Sequence, residues 1–310
     1  TMFGCVLMLG CGIACAMRGA PGARLFVLAW AVILVGGLLM ALRNFGLLPT
    51  NVVTLHGMQV GSALEMLLLS FARIWSFSVL PDDYTLANYA TVFADSTGMI
   101  TNTLLYCGLA ATIDVVIGVA IAYLILRTRI PARQWLDFAA SAAIAVPGIV
   151  LAIGYLRTFQ SFEIGGVPIT QTWLLIMLAY SVRRLPYALR SCMAALQQLN
   201  LSLEEAAEML GASKWRSVRR IVIPLMAGGI LAGFVSSFIT AAVELSATIL
   251  LVVKESQAPM SYGIYLYMQS VSGRGAGAAL GVLLVLTVAV GTYLSHVLAE
   301  RANRNLDHVQ

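Results

Sequence analysis

Apolar runs close to 20 residues long recur along this chain, separated by short stretches that carry most of its charge. A helix rises about 1.5 Å per residue, so about 20 residues cross the roughly 30 Å hydrocarbon layer of a bilayer with every backbone polar group satisfied internally. Eight candidate spans stand out, at about 1–17, 25–42, 53–71, 99–126, 138–156, 170–182, 227–250 and 277–298. Strand-period alternation is absent, which disfavours an outer-membrane barrel. The expected fold is therefore all-α, a polytopic transmembrane helix bundle of about eight spans. Composition agrees: 60% hydrophobic residues against 11% charged ones exclude a soluble globule and, equally, secreted, disordered and fibrous chains. The sixth run is short and meets Arg183 and Arg184; it is expected to continue past Pro186 as a kinked helix that leaves the bilayer.

The net charge of +5 sits in loops beside apolar runs, a pattern of membrane orientation and not of nucleic-acid binding. From Ala72 onward there are sixteen basic residues. If the spans alternate, twelve share one side: Arg127, Arg129 and Arg133, the seven between Arg183 and Arg220, and Arg301 and Arg304. Arg73, Arg157, Lys254 and Arg274 fall on the other, so twelve against four places the loop at 183–224 in the cytoplasm. The five cysteines show neither a disulfide framework nor metal-ligand spacing. The chain opens at Thr1 inside an apolar run, as expected of a fragment whose true N-terminus is missing.

The chemistry is most legible in that loop. Ser202 followed three positions later by Glu205 forms a capping-box pattern and predicts a short helix. Gly211 suits the left-handed residue that ends it, and Ser213 suits the cap of a second helix bearing Lys214, Arg216, Arg219 and Arg220. The expected product is a helix-turn-helix outside the membrane, with Ala206 and Ala207 as a small-residue face and Glu205 as an anionic one. Such a knob fits a groove in another protein. The alternative is a solvated connector between membrane helices.

The spacing favours the knob. Glu205-Ala206-Ala207, three residues, Gly211, nine residues, Ile221, one residue, Ile223 and Pro224 resemble the EAA loop of binding-protein-dependent ABC importer permeases, EAA-x3-G-x9-I-x-L-P, departing only at Ile223. The resemblance implies a cytoplasmic coupling helix that docks into a cleft of a separate ATP-binding subunit. Glu205 would be the polar anchor, Ala206 and Ala207 the close-packing surface and Gly211 the turn. Ile221 and Pro224 would join the loop to the next span. The chain carries no GxxxxGK[ST] phosphate loop, so an enzymatic role is not expected and ATP would be bound by the partner, with no cofactor of its own. The similarity runs from about Ser70 to the end. Segments such as Arg183-Arg184-Leu185-Pro186-Tyr187-Ala188-Leu189-Arg190 and Glu244-Leu245-Ser246-Ala247-Thr248 look like the ferric-iron branch, whose relatives carry aminoethylphosphonate, sulfate, thiamine or polyamines. The implied partners are the ATP-binding subunit, a periplasmic solute-binding protein, a second permease half or subunit, and the lipid of a bacterial inner membrane.

Residues 1–71 resemble something else. Ala41-Leu42-Arg43-Asn44-Phe45-Gly46 and Gly57-Met58-Gln59-Val60-Gly61-Ser62 are similar to the last helices of bacterial seven-transmembrane receptors with diverse intracellular signalling modules. The expected organisation is a receptor-like part, 1–71, joined to a permease domain, 72–310, with the third helix standing in for the permease's first span. The two parts ask opposite orientations of that helix. A membrane sensor or receptor fragment is accordingly the rival function.

Glu65, Asp114 and Glu244 fall within predicted spans, where a carboxylate is costly and faces the bundle interior or water. Glu244, Ser246 and Thr248 are candidates to line the solute pathway, with Asp114 a further one; interhelical packing is the competing role. His56, His296 and His308 are scattered and offer no nucleophile-base or metal spacing, so no catalytic or metal residue is expected. Gly273, Gly277 and Gly281 form a small-residue stripe suited to close helix packing. Pro147-Gly148 breaks the fifth span, and 75–89 reads as an interfacial stretch with Trp75, Phe77, Tyr84 and Tyr89.

Overall fold

A computed structural model describes residues 2–18, 23–44, 52–73, 83–131, 133–270 and 272–307. In chain order the helices are α1 (Met2–Met17), α2 (Ala23–Asn44), α3 (Val52–Ser70), α4 (Ala87–Asp95), α5 (Thr97–Arg127), α6 (Arg133–Ala145) and α7 (Gly148–Thr158). A small hairpin follows, with β1 (Glu163–Ile164) antiparallel to β2 (Val167–Pro168). Gly165 and Gly166 turn it at φ 61° and 78°, a conformation that a side chain disfavours. Then come α8 (Trp173–Gln198), α9 (Ser202–Met209), α10 (Lys214–Ser217), α11 (Ile223–Leu225), α12 (Ala227–Ala242), α13 (Thr248–Leu251), α14 (Met260–Met268) and α15 (Arg274–Asp307). The fold is all-α, as expected.

Long apolar helices explain the membrane character, and the described residues do not by themselves supply the expected eight spans. Among the described residues, Thr97–Arg127 and Arg274–Tyr293 are long and apolar enough to cross a bilayer, and up to four spans result if two bent pairs each count as one. The first pair is α6 with α7, bent by 106° at Val146 and Pro147; the second is the helix Lys214–Leu225 with α12, bent by 69°. Proline lacks the donor that would continue the first helix, and Gly148 opens the next. The sixth run is longer than its apolar core: α8 passes through Pro186 and extends to Gln198.

The chain forms two compact units, Thr1–Thr97 with Gly263–Leu284, and Gly98–Tyr262 with Val285–Gln310. In the first unit α2 and α3 lie close together, and a Cβ on Gly61 would sit 2.9 Å from the Ile33 Cα. Buried Asn88 donates to the carbonyls of Ser70 at 2.9 Å and Ala72 at 2.7 Å, while the Ser70 hydroxyl bonds Tyr89 Oη at 2.8 Å. The glycine stripe works by close approach here: a Cβ on Gly281 would lie 2.9 Å from Met66 Sδ, and one on Gly277 3.0 Å from Tyr267 Cβ. Of the expected interfacial stretch, Trp75, Phe77 and Asp82 lie outside the described residues; Tyr84 and Tyr89 are placed.

In the second unit a core of Ala122, Ala140, Leu189, Cys192, Leu196, Val222 and Met226 joins α5, α6, α8 and the segment entering α12. Tyr106 stacks on Trp173 with ring centroids 5.6 Å apart.

Candidate functional site

The loop at 199–226 is a helical elbow. Its first helix starts differently from the capping-box expectation: Ser202 is the first helical residue and its side chain makes no cap bond. Asn200 replaces it, its Oδ1 accepting from the Ser202 N–H at 3.1 Å, an Asx turn that offers the chain the same service two residues earlier. The end of α9 matches the expectation for Gly211. That residue has φ 86°, its N–H bonds Glu208 O at 2.9 Å, and the Ala212 N–H reaches back to Ala207 O at 3.0 Å. These are the two bonds of a Schellman end, which requires a left-handed residue. Ser213 caps α10 as expected, its Oγ accepting from the Arg216 N–H at 3.4 Å.

The helix then widens over Val218–Val222 into a turn with one extra residue before α11. Pro224 has no N–H to give, and the wider turn accommodates that lost bond. Ile221 is half-buried and Pro224 exposed; the neighbours Val222 and Met226 provide the core anchor.

Glu205 and Ala206 are exposed and Ala207 is half-buried. Met209 and Leu210, each 90% exposed, complete an apolar tip at the turn. Glu204, not singled out by its sequence context, points inward: its carboxylate receives Arg127 Nε at 2.7 Å and Tyr123 Oη at 3.1 Å.

The second cluster centres on Glu244. It is not part of a continuous span helix, because α12 ends at Ala242 and residues 243–247 form turns before α13. The side chains themselves compete with the helix: Glu244 Oε1 accepts from Ser246 Oγ at 2.5 Å and from the Ala247 N–H at 3.2 Å, and Thr248 Oγ1 donates to Glu244 O at 2.7 Å. Arg183 Nη1 lies 2.8 Å from Glu244 Oε1, and Arg184 Nη2 pairs with Oε2. By sequence both arginines count among the cytoplasmic loop charges; they are instead built into α8 and share the Glu244 carboxylate inside the unit. Without them the count expected from alternating spans becomes ten against four. Gly148 makes the arrangement possible, since a Cβ there would strike Ser246 Oγ and Arg183 Nη1. Tyr180 Oη bonds Thr248 Oγ1 at 2.7 Å, and Ser261 Oγ donates to Glu244 O at 2.9 Å.

Asp114 is fully buried. Ser181 Oγ donates to it at 2.6 Å, and Ser237 Oγ donates to its other oxygen. The carboxylate thereby joins α5, α8 and α12. Missed from sequence were Arg127, Tyr123 and Glu204, and the pairing of Arg183 and Arg184. A signal that Arg183 and Arg184 sit in a packed helix, though not of their partner, was present: Leu185, Leu189, Cys192 and Leu196 recur at helical spacing beyond them.

Residues 114–306 match the family described as binding-protein-dependent transport system inner membrane component, and residues 1–76 match the family described as 7TM diverse intracellular signalling. Among curated relatives, a putative ferric transport system permease protein FbpB 1 of Haemophilus influenzae is 33% identical over 186 residues, 58% of this chain and 28% of that protein. The sulfate transport system permease protein CysT of Escherichia coli is 30% identical, covering 61% and 66%. The molybdenum transport system permease protein ModB of the same species is 27% identical, covering 63% and 92%. The chain thus spans little more than a quarter of the length of its ferric relatives, at 28% and 27%. A bacterial ABC transporter for import of the polysaccharide alginate shares the fold at TM-score 0.65 and 18% identity, covering 84% of this chain and 96% of that one.

Proposed function

We propose, for a chain that belongs to the family of binding-protein-dependent transport system inner membrane components, that it is the permease subunit of an ATP-driven importer in a bacterial inner membrane. The observation that carries the reading is the exposed elbow from Asn200 to Ser213, ended by a left-handed glycine and tipped by Met209 and Leu210. Exposed apolar side chains beside an anionic residue mark a docking surface. Glu205, Ala206, Ala207 and Gly211 form the part that meets a cytoplasmic ATP-binding subunit, and Ile221 and Pro224 carry its motion into α12. A periplasmic solute-binding protein delivers the cargo, and a second permease half completes the pathway.

Ferric iron is the cargo we assign, because the ferric permeases are similar at 33% and 32% identity. Sulfate and molybdate are the competing cargoes, given the CysT and ModB similarity. Glu244, Ser246 and Thr248 gather where α7 begins beside a broken helix, an arrangement in which transporters hold or pass a solute. Asp114 acts there as a tie between helices. We also read 1–71 as a receptor-like part joined to the permease domain 72–310. The match at 1–76 favours a signalling receptor as the second reading.

Replacing Gly211 by tryptophan tests the assignment in vesicles that hold the whole transporter. Uptake of radioactive iron(III) should fall at least tenfold while ATP hydrolysis and membrane insertion persist. Normal ATP-dependent uptake by that variant would remove the elbow from the mechanism. Parallel uptake of sulfate and molybdate identifies the cargo, and co-purification of a signalling output in place of an ATP-binding subunit would favour the receptor.

A further inference from the structure

We propose that Arg127, with Tyr123 beside it, is the linkage through which motion of the α9 elbow reaches the membrane helices, and that it grips the elbow by Glu204. The proposal rests on the permease reading above. Within α9 the one buried residue is Glu204; the rest of the helix is exposed or half-buried. Its side chain is 9% exposed and that of Arg127 12%, so their ion pair is largely shielded from water and salt. The pair is also well directed: Nε of Arg127 donates at 2.7 Å, and the Tyr123 hydroxyl occupies the second carboxylate oxygen at 3.1 Å.

The same guanidinium holds a third element. Its Nη2 donates to Leu199 O at 2.7 Å and to Leu196 O at 3.2 Å, where α8 ends and Leu196 O also accepts the Leu199 N–H. One rigid planar group therefore joins α5, which carries it, to α8 and α9. If α9 moves with its docked partner, α5 and the end of α8 must follow, or the pair must open and strand a carboxylate in a site with little water. Farther along α5 and α8, Asp114 of α5 is held by Ser181 of α8 and Ser237 of α12, a second tie between those two helices that also takes in α12. The arrangement supplies two polar ties, joined through α5 and α8, between the elbow and the bundle. Arg127 and Glu204 are positioning residues: neither meets cargo nor nucleotide.

The test uses proteoliposomes holding this chain with its ATP-binding and solute-binding partners, and reads iron(III) imported per ATP hydrolysed, with sulfate and molybdate in parallel. Arg127→Gln and Glu204→Gln should each lower that ratio at least tenfold, with ATP hydrolysis within twofold of the parent and the ATP-binding subunit still bound. Because the two act as one unit, the double variant should lose no more than either single one. Arg127→Lys, which keeps the charge but not the planar fork that reaches Leu196 and Leu199, should fall between the parent and Arg127→Gln, as should Tyr123→Phe, which keeps the ion pair. A parental ratio in Arg127→Gln would overturn the proposal. So would losses that multiply in the double variant, or a loss matched by release of the ATP-binding subunit, which would make the contact a matter of assembly alone. If the parent chain imports none of the three solutes with ATP, the permease reading fails before the linkage is tested.

Discussion

At the level of single residues, buried charge decides most of the site. Glu244 pairs with two guanidinium groups at once, and its own side chain is 5% exposed. Removing one member of such a cluster leaves charge without a partner and costs about 3–5 kcal/mol. Glu244→Gln should therefore lower the thermal midpoint of the detergent-solubilised protein markedly, more than Glu205→Gln on the exposed elbow. Equal midpoints would show that the arginines find other partners. The exposed pair of Arg190 with Asp137, 2.9 Å apart, should contribute about 1 kcal/mol or less. Sequence alone marks Glu244 as costly, yet does not show that Arg183 and Arg184 answer it, because partners 60 residues apart share no local pattern. Glu204 is harder still: with Glu205 it makes an acidic doublet, and which of the two turns inward depends on where Arg127 lies.

Helices and their ends are the level at which sequence was most informative. Uninterrupted apolar runs marked α5 and α15, and Gly211 and Ser213 marked the turn of the elbow, since few residues serve a left-handed position or a cap. Ser202 misled because Asn200, two residues before it, competes for the same backbone donors. Around Gly211 there is open space for a side chain, so only the φ of 86° penalises substitution. A non-glycine residue there should cost about 1–2 kcal/mol, and Asn less than Val. Coupling measured as uptake per ATP should follow that order; an indifferent series would mean the turn need not hold its shape. Gly148 is limited by space instead. Gly148→Ala should reduce both stability and uptake, whereas Gly154→Ala, with nothing within 4 Å of the added carbon, should leave both near the parent.

For the whole chain, one family match covers residues 1–76 and another 114–306; α3 lies within the first, and its Met66 packs on Gly281 of α15 in one compact unit. That contact places α3 against the start of the last helix within the unit they share. Removing residues 1–44 should spare co-purification of the ATP-binding subunit, and removing 1–71 should abolish it; equal behaviour of the two truncations would separate α3 from the permease. Both resemblances were legible in residue patterns, but the contact of α3 with the last helix was not, because a glycine stripe does not say which helix will lie on it. Everything depends on the side of the membrane on which the elbow lies. The most direct measurement is maleimide labelling of Met209→Cys, in a chain whose native cysteines are replaced, in sealed vesicles of known orientation. The permease account predicts labelling by a membrane-impermeant reagent only when the cytoplasmic face is outward, with protection when the ATP-binding subunit is bound. Labelling from the periplasmic face, or none from either face, would contradict it.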